Sequence, residues 1–256
     1  MKITTYNANS IRSRIEILLR WLEANRPDVL CVQETKVQDD QFPLEAFSGS
    51  GYEIIFRGQK KYNGVAIFSR RPLTEIEWQL PDDPLVQARF LKAKAGKVVI
   101  VNTYIPQGQE RDSEKFQYKL EYFRLLKDYF KSRFDPKEKI LWCGDLNVAR
   151  EAIDVHDPKG LWGHVCYCKP VQDALEDVMK WGFVDVFRLF HQGPGHYTFW
   201  DYRVHNSPNL NIGWRLDYLM ATDSLAKTCS DCSIDVEARM GEKTSDHTFL
   251  TAQFDL

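Results

Sequence analysis

The chain has 256 residues, 43% of them hydrophobic and 27% charged, which is ordinary globular usage and excludes a disordered chain, a collagen and a coiled coil. A formal net charge of −2 gives no global positive field, so a polyanionic partner would have to be met by local basic patches or through a metal. Met1 to Arg14 is polar where a secretory leader needs an apolar run, and the most apolar stretch, Val98-Val99-Ile100-Val101, is far too short to span a membrane.

In chain order, Lys2 to Tyr6 alternates and is β-branched, which predicts a half-buried strand. Ser10 is expected to cap a helix whose apolar positions are Ile11, Ile15, Leu18, Leu19 and Leu22, and Pro27 should end it. Val29 to Val32, Gly64 to Phe68 and Val98 to Tyr104 read as strands. Phe116, Leu120, Phe123, Phe130 and Phe134 mark a long amphipathic helix. Ile140 to Cys143 is a strand, Val171 to Lys180 a third helix, and Trp214 to Ala221 and Thr248 to Phe254 the closing strands. No repeat or linker-like tract interrupts the chain, so one domain over residues 1–256 is expected.

Six cysteines are too few for a disulfide scaffold, and Cys31 and Cys143 sit in apolar runs as core residues. Cys166-x-Cys168 and Cys229-x-x-Cys232 provide only one pair at ribbon spacing, so zinc is not expected and a reduced, cytoplasmic chain is. Two acid-free basic stretches, Arg57 to Arg71 and Arg89 to Lys97, suggest a track for a nucleic-acid backbone.

Strand runs end in polar clusters, as expected of an α/β sandwich with its site where strands emerge into loops. The clusters are Asn7-Ala8-Asn9, Gln33-Glu34-Thr35-Lys36, Gly144-Asp145-Leu146-Asn147, Arg215-Leu216-Asp217-Tyr218 and Ser245-Asp246-His247. Each acid alone could be a solvated loop residue or a cap. Together they supply four carboxylates, amides and a histidine, with no thiolate, which points to a hard divalent cation held by oxygen.

With Tyr104-Ile105-Pro106-Gln107-Gly108, Tyr197-Thr198-Phe199-Trp200 and Gly213-Trp214-Arg215-Leu216-Asp217, these clusters resemble the exonuclease III family of apurinic/apyrimidinic endonucleases, in the DNase I-like superfamily, along nearly the whole chain. Ser10 stands where that family usually has glycine, and Val155 to Lys169 matches no functional loop. The resemblance implies an α/β four-layer sandwich, two mixed sheets face to face with helices outside. It also implies an Mg²⁺-dependent nuclease (Mn²⁺ substituting) that cuts double-stranded DNA 5′ of abasic sites and trims 3′ ends, a monomer with no membrane attachment.

By the same resemblance, Glu34 and Asp246 are the foremost metal ligands, with Asn7, Asp145, Asn147 and His247 in the wider metal set. Asp145 takes a proton from water or manages the leaving group, and Asn147 donates to phosphate or orients the water. His247 contacts phosphate while held by Asp217, and Tyr104 acts as donor or phenolate. Asn9, Lys36 and Gln107 face the DNA, and Phe199, Trp214 and Leu216 wall a pocket for an extruded sugar. Two rival readings stand beside this one: a lipid or inositol-phosphate phosphodiesterase of the same fold, and a DNA-binding module without catalysis. The second is disfavoured because none of the catalytic residue types is missing.

Overall fold

Central strands that are apolar on both faces need cover on both sides, and here alternate residues of one strand go to different cores. The structure, a computed structural model, describes residues 1–256. In chain order the elements are β1 (Lys2–Asn7), α1 (Ile15–Asn25), β2 (Val29–Gln33), β3 (Glu53–Arg57), β4 (Val65–Ser69), β5 (Leu73–Glu77), β6 (Phe90–Ala95) and β7 (Val98–Tyr104). There follow α2 (Glu114–Arg133), β8 (Ile140–Asp145), α3 (Lys169–Met179), β9 (Phe183–Asp185), α4 (Val186–Phe190), β10 (Asp217–Thr222), α5 (Asp223–Ala226), β11 (Cys229–Ile234) and β12 (Leu250–Phe254).

Two six-stranded mixed sheets form, in the orders β11-β12-β1-β2-β4-β3 and β5-β6-β7-β8-β10-β9. In β2, Val29 and Cys31 face the opposite sheet while Leu30 and Val32 face α1 with Trp21 and Leu22. In β8, Leu141 and Cys143 enter the inter-sheet core while Ile140 and Trp142 meet α2 and α3. Each large apolar side chain so buried contributes about 1.5–3 kcal/mol. The result is the expected four-layer sandwich, α1 over one sheet and α2 with α3 over the other.

Three expectations are corrected. Ser10 does not cap α1: its N–H donates to Glu34 O at 2.8 Å and that of Ile11 to Thr35 O at 3.1 Å, which ties the ends of β1 and β2 together. A 3₁₀ turn, Arg12–Arg14, then intervenes before the helix starts at Ile15. The last central strand begins at Asp217, because Trp214 and Leu216 bond to Thr198 and Phe199 instead, and the Arg215 N–H donates to the Asp154 carbonyl at 2.8 Å.

The second basic stretch is not a track. Lys92 is buried on β6 with its ammonium 3.2 Å from Glu77, Lys94 pairs with Glu75 at 2.8 Å, and Arg89 stacks 4.7 Å above the Tyr104 ring. In the first stretch Arg57 is tied to the Trp78 and Val86 carbonyls, whereas Lys60, Lys61 and Tyr62 are exposed. All six cysteines are free, and Cys232 packs in the inter-sheet core, which removes the C-x-x-C as a zinc half-site.

Candidate active site

The two parallel strand pairs, β1/β2 in one sheet and β7/β8 in the other, bring their carboxyl ends to the same edge of the sandwich. Register sets the residues side by side: Asn7 opposite Gln33, Tyr104 opposite Asp145, and Asp217 on β10 opposite Asp145. Beneath them Asn102 on β7 crosses between the sheets. It donates to the Val32 and Ala66 carbonyls at 3.1 and 3.0 Å and accepts from Gln33 at 2.7 Å, which fixes one sheet's register against the other. Gly144 precedes Asp145 at φ +131°, and a Cβ there would lie 1.9 Å from the Thr103 carbonyl oxygen, so no other residue fits. Asn9, Glu34, Lys36 and Asn147 all hold left-handed backbone, with φ from 43° to 53°. Such conformations persist only where the surroundings enforce them, and they concentrate at functional sites.

Asn7 is the hub of the site. Its amide nitrogen donates to Glu34 Oε1 at 2.8 Å and Asp145 Oδ2 at 2.9 Å, and its oxygen accepts the Asn9 N–H at 2.9 Å. Asp145 Oδ1 accepts the Asn147 backbone N–H at 2.9 Å. Asn147 commits its amide nitrogen to the Ile105 carbonyl at 3.0 Å and to Asp145 at 3.3 Å. His247 is bonded through Nδ1 to Asp217 at 2.7 Å, and its Nε2 lies 3.7 Å from Asp145 Oδ2.

Burial, aided by the neighbouring Asp217 and Glu34 carboxylates, pushes the Asp145 carboxyl up to about 7, although His247 opposes it. Burial alone would lower His247, but Asp217 and then Asp145 outweigh it and raise the imidazole to about 10. So charged, His247 acts as a donor toward the cleft, and it shares with Asp145 and Asp217 a cluster whose side-chain ligand atoms all lie within 4.8 Å of one another. Burial and the Glu34 carboxylate push Tyr104 well above the usual phenol range, so it is a neutral donor and not a phenolate. Burial alone would raise Glu34, but Lys36 at 2.8 Å, helped by Asn7 and His247, outweighs it and holds the carboxyl low.

A cleft of about 230 Å³ collects Glu34, Tyr104, Gln107, Asp145, Asn147, Phe199, Trp214, Leu216, Asp246 and His247, all expected from sequence. Four expected residues stand behind its wall. Asn7 and Asp217 support it from below, while Lys36 and Asn9 bridge the carboxylates: Lys36 contacts Glu34 and the Asn9 oxygen, and Asn9 donates to Asp246 at 2.9 Å. Four cleft residues were not foreseen: His164, Cys166, Asp201 and Arg203. His164 packs 4.9 Å from the Trp214 ring, and it arrives with Cys166 on the segment that matched no functional loop. A tight His164–Tyr167 bridge shapes that segment, and such a turn has no periodicity to read.

When ionised, the carboxylates of Glu34, Asp145, Asp217 and Asp246 are met only by the His247 imidazolium and the Lys36 ammonium. Two negative charges remain, the charge of one divalent cation. With hard oxygen donors and no thiolate among the carboxylates, the residues fit such an ion.

Two mixed sheets carrying these groups above their parallel strands define a hydrolase of phosphate esters. The description "Endonuclease/Exonuclease/phosphatase family" matches residues 4–247, and the chain belongs to that family. It is 30% identical to an exodeoxyribonuclease III of Haemophilus influenzae, with 99% of this chain and 100% of that protein covered. It is 31% identical to an exodeoxyribonuclease of Bacillus subtilis over 96% of each. Among solved structures, an AP endonuclease from Archaeoglobus fulgidus superposes with TM-score 0.98 at 44% identity, each chain covered completely. A 3′ phosphatase from Neisseria bound to a product DNA hairpin superposes with TM-score 0.94 at 33% identity, again over both whole chains. The protein is thus a hydrolase of the nuclease kind.

Proposed function

We propose that the protein is an Mg²⁺-dependent DNA repair nuclease that hydrolyses the phosphodiester 5′ of abasic sites and also trims 3′ ends by 3′→5′ exonuclease action. The observation that carries this reading is the meeting, in one cleft, of the Asp145, Asn147 and His247 constellation with the apolar wall of Phe199, Trp214 and Leu216. The wall suits a sugar without its base: such a nucleotide costs least to extrude, having lost both pairing and stacking. Similarity to a 3′ phosphatase and to exodeoxyribonucleases supports the 3′-end activities.

In-line attack on phosphorus builds negative charge on the non-bridging oxygens, and the site needs a proton acceptor for water and donors for that charge. Asp145, poised near 7 and fixed by Asn7 and Asn147, is the acceptor. His247, charged and held by Asp217, donates to a phosphate oxygen, and Tyr104 adds a neutral O–H. Glu34 and Asp246 would hold the metal ion, with Asn7 orienting Glu34. When bound, the ion supplies Lewis-acid stabilisation of the phosphoryl charge. The test compares a duplex containing one abasic analogue with a nicked duplex, with and without Mg²⁺. Cleavage of both that requires the ion is expected, and failure to cut either would reject the reading.

A further inference from the structure

Helix α2 buries one face against the β5-β6-β7-β8-β10-β9 sheet, and in the middle of that face, between Phe116 and Phe123, stands a lysine. Lys119 is 0% exposed, and no carboxylate pairs with its ammonium. An unpaired buried charge is tolerated only where its hydrogen bonds are complete. They are complete here, since the three N–H groups meet three backbone carbonyls, of Asn147 at 2.7 Å, Val165 at 2.9 Å and Gln107 at 3.1 Å.

Those carbonyls belong to three separate segments, and each segment delivers a side chain to the cleft: Asn147 itself, Gln107 itself, and Cys166 next to Val165. Cys166 Sγ lies 3.7 Å from Asn147 Oδ1 and 3.9 Å from Lys119 Nζ, so the segments also touch around the ammonium. Gly108 covers the lysine stem at φ +101°, and a Cβ there would stand 3.2 Å from Phe116 and 3.4 Å from Lys119 Cδ. The ammonium is thus the one group bonded to all three loops, which backbone hydrogen bonds otherwise join only in pairs, Ala149 N–H to the Cys166 carbonyl at 2.7 Å and Ile105 N–H to the Asp145 carbonyl at 3.0 Å.

We propose that Lys119 is a positioning residue for the reaction: by gathering these three carbonyls it fixes Asn147, whose backbone and side-chain N–H groups brace the Asp145 carboxylate, and the Gln107 and Cys166 loops beside it, in the geometry the reaction needs. The inference rests on the nuclease reading above. An apolar residue of equal length would fill the space but leave three buried carbonyls unpaired, and the loops would relax toward water. Displacements of about 1 Å at a reacting centre can cost on the order of 100-fold in rate.

The experiment measures single-turnover cleavage of an abasic-analogue duplex, duplex affinity and melting temperature for wild type, Lys119→Met, Asn147→Ala and the double variant. At temperatures well below melting, Lys119→Met is expected to slow cleavage roughly 10- to 100-fold with affinity changed less than about threefold. In the Asn147→Ala background the same substitution should cost much less, because the two act through one amide. Lys119→Gln, which keeps an amide donor for the carbonyls, carries the same comparison if the methionine variant is too unstable, with a smaller loss expected. Near-normal cleavage, or a loss that tracks only the unfolded fraction and adds fully to that of Asn147→Ala, would overturn the proposal. A wild type inactive on the duplex would instead overturn the functional reading.

Discussion

At the scale of single residues the proposed chemistry rests on Asp145, whose contacts with Asn7 and Asn147 hold it in place without neutralising it. Asp145→Asn should lower the single-turnover rate by about 10²–10⁴-fold, the usual contribution of a proton-handling group, with little change in duplex affinity. A variant with a near-normal rate would take Asp145 out of the mechanism. Trp214 tests the pocket. Trp214→Ala should reduce incision at an abasic site more than exonuclease turnover at a frayed 3′ end, while a purely structural Trp214 would lower both in step with the melting temperature. Most of these residues were legible because a carboxylate directly after an apolar strand needs a partner or a metal. His164 and Cys166 were not, since nothing in their local pattern reveals which way a short turn faces. Lys119 was hidden by its helix, where a lone lysine on an apolar face reads as an interruption of the pattern, not as an anchor.

Among the elements, strands with plain alternation were readable and edge strands were not. The Phe90-Leu91-Lys92-Ala93-Lys94-Ala95 strand, one in from the edge, read as part of a basic track for a nucleic-acid backbone, because its partners Glu75 and Glu77 lie on another strand of the same sheet. Two buried polar ties between elements carry testable energies. Asn102→Leu would take the Asn102 donor from the Val32 and Ala66 carbonyls and leave the Gln33 amide only Thr5, at 2.9 Å, and the Cys31 carbonyl; at about 1–3 kcal/mol for a buried group left unsatisfied, it should lower the urea midpoint sharply. The second tie is Asp154, which meets Arg188 and the fully buried Arg215, with the Arg215 Nε bond at 2.8 Å, and so steers Trp214 and Leu216 out of the ladder. Burial alone would raise Asp154, yet Arg215 and then Arg188 outweigh it and hold its carboxyl below the ordinary value. A carboxyl lower in the folded than in the unfolded chain contributes stability that is full above the unfolded value, about 3.9, and disappears as pH falls through the folded one. Asp154→Asn should therefore reduce stability at neutral pH, by about 3–5 kcal/mol for a broken buried pair, and flatten the loss of stability below about pH 4. Urea midpoints from pH 3 to 7 check this, and an acid limb as steep as that of wild type would clear Asp154 of the role.

For the whole molecule, the layering and the place of the site follow from one feature: both sheets carry their parallel pair at the centre, with carboxyl ends at one edge. The accessible surface, 11,548 Å², agrees with about 11,700 Å² expected for one compact chain of this mass, and a single cooperative thermal transition should accompany it. Duplex binding depends on local charge, since the net charge is −2. Neutralising the exposed Lys60 and Lys61 together should weaken binding on every sequence and shallow the logarithmic salt slope by about 0.9 for each phosphate they had neutralised. An unchanged slope would return both lysines to the solvated surface. The most direct measurement is single-turnover cleavage of a duplex carrying one abasic analogue, by wild type in Mg²⁺, by wild type in excess chelator, and by Asp145→Asn in Mg²⁺. The expected result is incision 5′ of the analogue in the first case, none in the second, and incision slowed by about 10²–10⁴-fold in the third. Incision at full rate in excess chelator, or an intact abasic duplex beside hydrolysis of a phospholipid headgroup, would contradict the assignment.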